Sequence, residues 1–232
     1  MISGTRTYFL TTLTLGAILS HGPLPAQTIP SPYRFLDSKQ EAGVFGGYIS
    51  PSTGRFGFGP GPAPAWGARY GINFSGPFGL EATVTHSPSQ RDIVDPGRVE
   101  GDRVVGEMQS HLVMIDGRLR FSLTGDRTWH GFSPYVGVGG GLIFDAANDE
   151  SDAELILADD RFNFGTSFVG ILAGGLRWFP GERFLVRGDV SLSIWQLETP
   201  RGYSDPERAF RGVDEKEWVS GPSFALGIGF RF

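Results

Sequence analysis

The sequence has no cysteine. That excludes disulfides and every zinc, redox or nucleophilic site built on a thiol. Lysine is nearly missing, with only Lys39 and Lys216, so arginine carries almost all the positive charge. A net charge of -5 leaves no basic footprint for nucleic acid. Long apolar runs are missing too. Phe9 to Ser20 is the longest apolar stretch, and a membrane helix needs about 20 residues. With Arg6 before it and Leu24-Pro25-Ala26 after it, this stretch reads as a signal peptide. The expected signal covers residues 1–26, with Gln27 as the first mature residue.

What the chain does have is alternation. In its last ten residues Phe224, Leu226, Ile228, Phe230 and Phe232 share one phase, and Ser223, Ala225, Gly227, Gly229 and Arg231 share the other. A β-strand sends successive side chains to opposite faces. One face of this strand is wide and apolar, and the other is small or charged. A soluble sandwich puts bulky residues inward and polar ones outward. A narrow barrel in lipid does the reverse, over segments of about 10 residues.

The same pattern recurs along the chain. Gln27 to Glu41 is polar and reads as a lead-in, with a short helix expected at Asp37 to Glu41. Eight strands follow, at residues 42–50, 66–74, 78–86, 109–123, 132–144, 162–178, 183–195 and 217–232. The second puts Trp66, Ala68, Tyr70, Ile72 and Phe74 outward. The sixth puts Phe164, Phe168, Leu172, Leu176 and Trp178 outward. Connections alternate. Long ones are expected at 51–65, 87–106, 145–161 and 196–216, short ones elsewhere. Glycine and proline are too dense in the first long connection for a central strand. An even number of antiparallel strands closes without leaving an edge. The expected fold is therefore all-β: an eight-stranded antiparallel up-and-down transmembrane β-barrel over residues 42–232.

Several segments resemble the OmpA/OmpX-like family of small outer-membrane β-barrels. They are Tyr135-Val136-Gly137 with the glycines after it, Arg187-Gly188-Asp189, and Gly227 to Phe232. Gly227, Phe230 and Phe232 also resemble the C-terminal insertion signal of such barrels, with Leu226 in the place of its polar residue. The resemblance implies an outer-membrane protein exported by the general secretory pathway. It implies contact with outer-membrane lipid and lipopolysaccharide, and recognition of the last strand by the barrel-assembly machinery. It also implies a monomer with no cofactor. Because the chain ends with the last strand, no peptidoglycan-binding domain is expected to follow it.

The inward phases collect Arg69, Glu81, Asp116, Arg118, Arg120, Arg177, Arg187, Asp189 and Arg231. Buried charges need partners, and arginine's fork suits carboxylates. We expect a salt-bridge network around Glu81, Asp116 and Asp189 that fills the lumen. Because the arginines outnumber these acids, an anion-preferring passage is the alternative.

Catalytic candidates are few. His86 with Ser87, and His111 with Ser110, stand at the tops of neighbouring strands, with Asp92 or Glu107 as a possible third member. A nucleophilic triad needs these groups within hydrogen-bond reach. His130 carries no signal. The acidic run from Asp145 to Asp160 lacks calcium-loop spacing and reads as a solvated loop. Trp66, Trp178, Trp195 and Trp218 fall at strand ends, where aromatic girdles sit, although Trp195 is on the inward phase. Trp129 reads as a turn anchor. Phe56 and Phe58 either dock a partner or pack on their own loop. The sequence thus points to a non-enzymatic barrel displaying loops, with a small channel or a lipid A-modifying enzyme as alternatives.

Overall fold

In the computed structural model of the chain, ten strands run in sequence order: β1 Tyr33–Phe35, β2 Gln40–Ile49, β3 Ala63–Asn73, β4 Phe78–Val94, β5 Val104–Ser122, β6 Arg127–Trp129, β7 Phe132–Asp145, β8 Thr166–Trp178, β9 Phe184–Glu198 and β10 Lys216–Arg231. The structure describes residues 31–37, 39–74, 76–147, 151–208 and 210–232. The expected signal peptide, residues 27–30 of the lead-in, and Asp149 and Glu150 of the acidic loop lie outside them.

Eight strands form a ring. The order β7-β5-β4-β3-β2-β10-β9-β8 returns to β7, and every pairing is antiparallel. The seam joins the two ends of the barrel segment, with Ala42 opposite Phe230 and Val44 opposite Ile228. Closure leaves no edge within the ring. Among the described residues no helix is long and apolar enough to cross a membrane, which says nothing about crossing by strands.

The outer face is apolar all the way round. Val44, Tyr70, Leu80, Ile115, Val138, Leu172, Val190 and Ile228 are each 40% exposed or more. The intervening residues are buried or half-buried. A water-soluble fold does not present such a band, because contiguous exposed apolar surface on a monomer rarely exceeds a few hundred Å². Facing lipid, it is the expected surface.

At several places glycine keeps the inner face small where a large group stands across the ladder. Gly139 stands opposite Arg118, Gly141 opposite Asp116, Gly175 opposite Asp189, and Gly227 opposite Arg187. A Cβ on Gly141 would lie 2.6 Å from the Asp116 Cα, and one on Gly139 would lie 2.9 Å from the Arg118 Cα. Both obstacles are backbone and cannot turn aside. Gly141→Val is expected to destabilise the folded barrel by about 1–3 kcal/mol, the usual range for overpacking. Denaturant unfolding in lipid vesicles checks this, and an unchanged midpoint would contradict the close approach.

Three expectations change. The connection placed at 87–106 is mostly strand: β4 runs on to Val94, β5 begins at Val104, and the pairing continues from Ser87–Leu112 to Asp92–Glu107. It looked like a loop because its outward positions turn polar above His86, while its inward positions stay buried. The sixth strand begins at Thr166, and Phe164, expected outward, is buried with Phe162. Among the described residues of the stretch Asp37 to Glu41 there is no helix, and Gln40 and Glu41 already belong to β2.

The lead-in adds structure of its own. β1 pairs with β6, setting Tyr33 opposite Trp129 and Phe35 opposite Arg127. β6 then turns into β7 through His130 and Gly131, with φ of 51° and 84°. Two consecutive left-handed residues make the tight hairpin that matches strand twist. The expected plain turn at 124–131 is therefore a small sheet on the lip.

Candidate functional site: the barrel interior

The barrel has two ends. The connections after β3, β5 and β8 are at one, here the short-turn end. Those after β2, β4, β7 and β9 are at the other, the loop end. The interior between them is built in two layers.

The layer nearer the short turns is charged. Glu81, 2% exposed, is its centre. Arg187 grips both carboxylate oxygens of Glu81, with Nη2 donating to Oε1 at 3.1 Å and Nη1 to Oε2. Arg120 Nη1 donates to Glu81 Oε2 at 3.0 Å and also to Glu41, while its Nη2 reaches Asn73 Oδ1 at 2.5 Å. Arg187 Nε donates onward to Asp189 Oδ1 at 2.6 Å, and Arg69 Nη1 to Asp189 Oδ2 at 2.5 Å. The Tyr135 hydroxyl accepts from Arg187 Nη2 at 2.6 Å and donates to Asp189. Asp116 and Arg118 form a two-pronged pair, at 2.5 and 3.2 Å. Arg177 stands 3.6 Å from Glu41. Arg231 lies over the Phe179 ring at 4.9 Å and reaches the Glu182 carbonyl at 3.4 Å.

All nine charged positions marked in the sequence are therefore interior, and five of them join one connected cluster: Arg69, Glu81, Arg120, Arg187 and Asp189. Asp116 and Arg118 form a hydrogen-bonded pair with each other, and Arg177 enters only through the longer contact with Glu41. Glu41 and Tyr135 were missed as cluster members. Glu41 had been assigned to the polar lead-in. Tyr135 joins groups more than 50 residues away, a link that leaves no local signal in the sequence.

The layer nearer the loops is apolar. Phe58, Leu112, Ile143, Phe162, Phe164, Trp195, Leu197 and Tyr203 belong to one buried cluster, with Phe56 and Phe210 packed against it. Ring centroids are 4.6 Å apart for Phe58 and Phe162, and 4.5 Å for Phe56 and Tyr203. Phe56 and Phe58 thus pack mainly against aromatics of the other loops rather than on their own loop alone. Trp195, 0% exposed, is a core residue rather than part of a girdle. Ion pairs pin the loops: Arg91 with Asp152 at 3.5 Å, and Arg208 with Asp160. The hydrogen bond from Arg208 to Asp160 holds the guanidinium above its usual range. Between the two layers lies a cavity of about 40 Å³, touched by Arg69, Thr83, Met114 and Asp189.

Tyr203 is 1% exposed, and its hydroxyl donates to the Val94 carbonyl at 3.4 Å. Burial first, and the nearby Asp160 second, push its phenol above its usual 10.0. The folded loops therefore resist losing this proton, whereas the unfolded loops release it near the ordinary value. Stability conferred by this group is intact below pH 10 and falls as pH rises beyond it. We expect Trp195 fluorescence to report loosening of the loop layer only above about pH 10. The same titration on Tyr203→Phe should be flatter, and an identical curve would contradict the assignment.

The catalytic constellation is not assembled. His86 and His111 face outward beside Trp66, with ring nitrogens 3.3 Å apart. Ser87 and Ser110 are the next residues along their strands and face inward, where Ser87 donates to the Pro64 carbonyl and Ser110 to Asp145. The period of two that pairs them in sequence puts imidazole and hydroxyl on opposite sides of the wall. Asp92 and Glu107 pair on the outward phase. Among the described residues no cluster of three or more acidic or histidine side chains is arranged to hold a metal.

The closed ring, the apolar outer band and the charged interior define the fold of the small eight-stranded outer-membrane β-barrels. Solved structures of that fold resemble the chain. The outer membrane protein OprG from Pseudomonas aeruginosa matches with a TM-score of 0.52 at 15% identity, over 84% of this chain and 97% of that one. Neisserial surface protein A matches with a TM-score of 0.52 at 9% identity, over 83% and 97%. No protein-family model and no curated protein matches the chain.

Proposed function

We propose that the chain is an integral outer-membrane barrel with a closed lumen that serves as a structural or surface-interaction scaffold, presenting its long loops outside the cell. The carrying observation is the double filling of the interior. A charged layer bridges β2, β3, β4, β5, β7 and β9 across the lumen, and an aromatic layer drawn from the loops closes the end above it. An eight-stranded barrel has an interior about wide enough for side chains, and here side chains occupy it.

In this reading the short-turn end is periplasmic and the loop end extracellular, following the usual asymmetry of such barrels. Residues 1–26 direct export. Phe230 and Phe232, exposed on the outer face, and Gly227, inward, form the signal read by the assembly machinery. The outer face contacts lipid and, above His86 and His111, lipopolysaccharide. The ring closes within one chain, which supports a monomer. Function specific to this protein resides in the loops, where variation does not disturb the scaffold.

Conductance in a planar bilayer tests the proposal. The purified, refolded barrel is expected to insert without unitary openings. Stable openings shifted by Arg118 or Arg187 substitution would replace it with the channel reading. That reading draws its support from the excess of arginine over acid in the charged layer.

A further inference from the structure

Arg177 is buried to 1% exposure, yet no nitrogen of its guanidinium has a hydrogen-bond partner. Glu41 is the acid closest to it, and at 3.6 Å the contact is an ion pair beyond hydrogen-bond length. Glu41 is already engaged by Arg120. Across the ladder Arg177 stands directly opposite Arg187, a like charge, which is unfavourable on a sheet face. Of the charges that act most strongly on Arg177, one attracts, Glu41, and three repel, Arg120, Arg187 and Arg231. Arg177 and Arg231 also lie over the same ring, Phe179, at 5.0 and 4.9 Å.

The imbalance extends through the layer. Five buried arginines, Arg69, Arg118, Arg120, Arg177 and Arg187, face four carboxylates, Glu41, Glu81, Asp116 and Asp189, while Arg231 at the edge of the layer also feels Asp37. A water molecule satisfies an orphaned N–H but leaves the charge. An anion supplies both an acceptor and the missing negative charge, and buried charge without compensation is expensive. Space limits its size. The cavities that border the charged layer, at Arg69, Arg118 and Arg187 and not at Arg177 or Arg231, measure about 40 and 10 Å³, so the packed interior leaves room for little more than a water, which needs roughly 10–15 Å³.

We propose that the short-turn end of the lumen binds a monovalent anion of chloride size, held by Arg177 with Arg231 beside it. The anion completes the charge layer, and the proposal stands whether or not the barrel conducts.

Bromide identifies the site directly, because it substitutes for chloride and scatters anomalously. Crystals of the folded barrel soaked in sodium bromide are expected to show an anomalous peak within hydrogen-bond reach of the Arg177 guanidinium. In detergent, the thermal midpoint in sodium chloride is expected to rise above that in sodium gluconate at equal ionic strength, and to saturate. Arg177→Gln should remove the chloride dependence. If that variant does not refold, the wild-type bromide peak decides alone, and Arg231→Gln should lower its occupancy. A water in place of the peak, bromide only at exposed surface groups, or equal midpoints in chloride and gluconate would overturn the proposal.

Discussion

Ile228→Arg leaves the barrel unable to assemble in a membrane. Ile228 is 66% exposed near the middle of the apolar half of β10. Its cross-strand neighbours are Val44 on β2 and Val186 on β9, and both also point outward. Arginine on the lipid face costs about 2–4 kcal/mol at the bilayer midplane and about 0–1 near the interfaces. The substitution also lies on the seam, so the strain falls on the pairing that closes the ring. Folded outer-membrane barrels resist detergent until heated, and the unheated gel band reports the folded fraction. The expected result is loss of that band for Ile228→Arg and its retention for Ser220→Arg, toward the loop end of the same strand. Equal folding of both would show that the outer face does not meet lipid as argued.

Glu81→Ala has the second large effect. One carboxylate bridges Arg120 and Arg187 at a site 2% exposed. Arg120 keeps Glu41 and Asn73, and Arg187 keeps Asp189 and Tyr135. Even so, the layer already holds more positive than negative charge. Breaking a buried pair by removing one partner costs about 3–5 kcal/mol, mostly for the charge left behind. Urea unfolding in vesicles measures the loss. Combining Glu81→Ala with Arg187→Met should recover part of it, since the stranded charge goes too. A single substitution without effect, or a double one whose losses simply add, would dissolve the network as an energetic unit.

The ring was legible because each crossing strand alternates between lipid and a cramped interior. Glycine with charge on one phase and bulky apolar groups on the other is a strong pattern, as in Leu226 to Arg231. The same reasoning failed where lipid ends. From Ser87 to Gly106 the outward positions become proline, glutamine and carboxylate, so polarity reported the surroundings and hid the pairing. Glu41 was lost because Gly43, Gly46 and Gly47 blur the phase of β2 just after it. The charged positions could be read one at a time as inward. Which of them meet depends on strand register, and Glu81 and Arg187 are 106 residues apart. The loop aromatics have no periodicity to follow. Phe56, Phe162 and Tyr203 come together through loop folding that no single stretch encodes.

The seam between β2 and β10 also sets a timetable. It joins Ala42 to Phe230, nearly the full span of the barrel segment. Pairings between residues so distant in sequence close slowly, because the entropy of bringing the ends together precedes any reward from contact. Until β10 arrives, a nascent sheet carries two open edges, and open edges recruit other chains. The last strand to be synthesised is therefore the one that ends this vulnerability. An escort that delays the other strands from pairing with strangers has most to offer during that interval, and least once β10 has paired with β2.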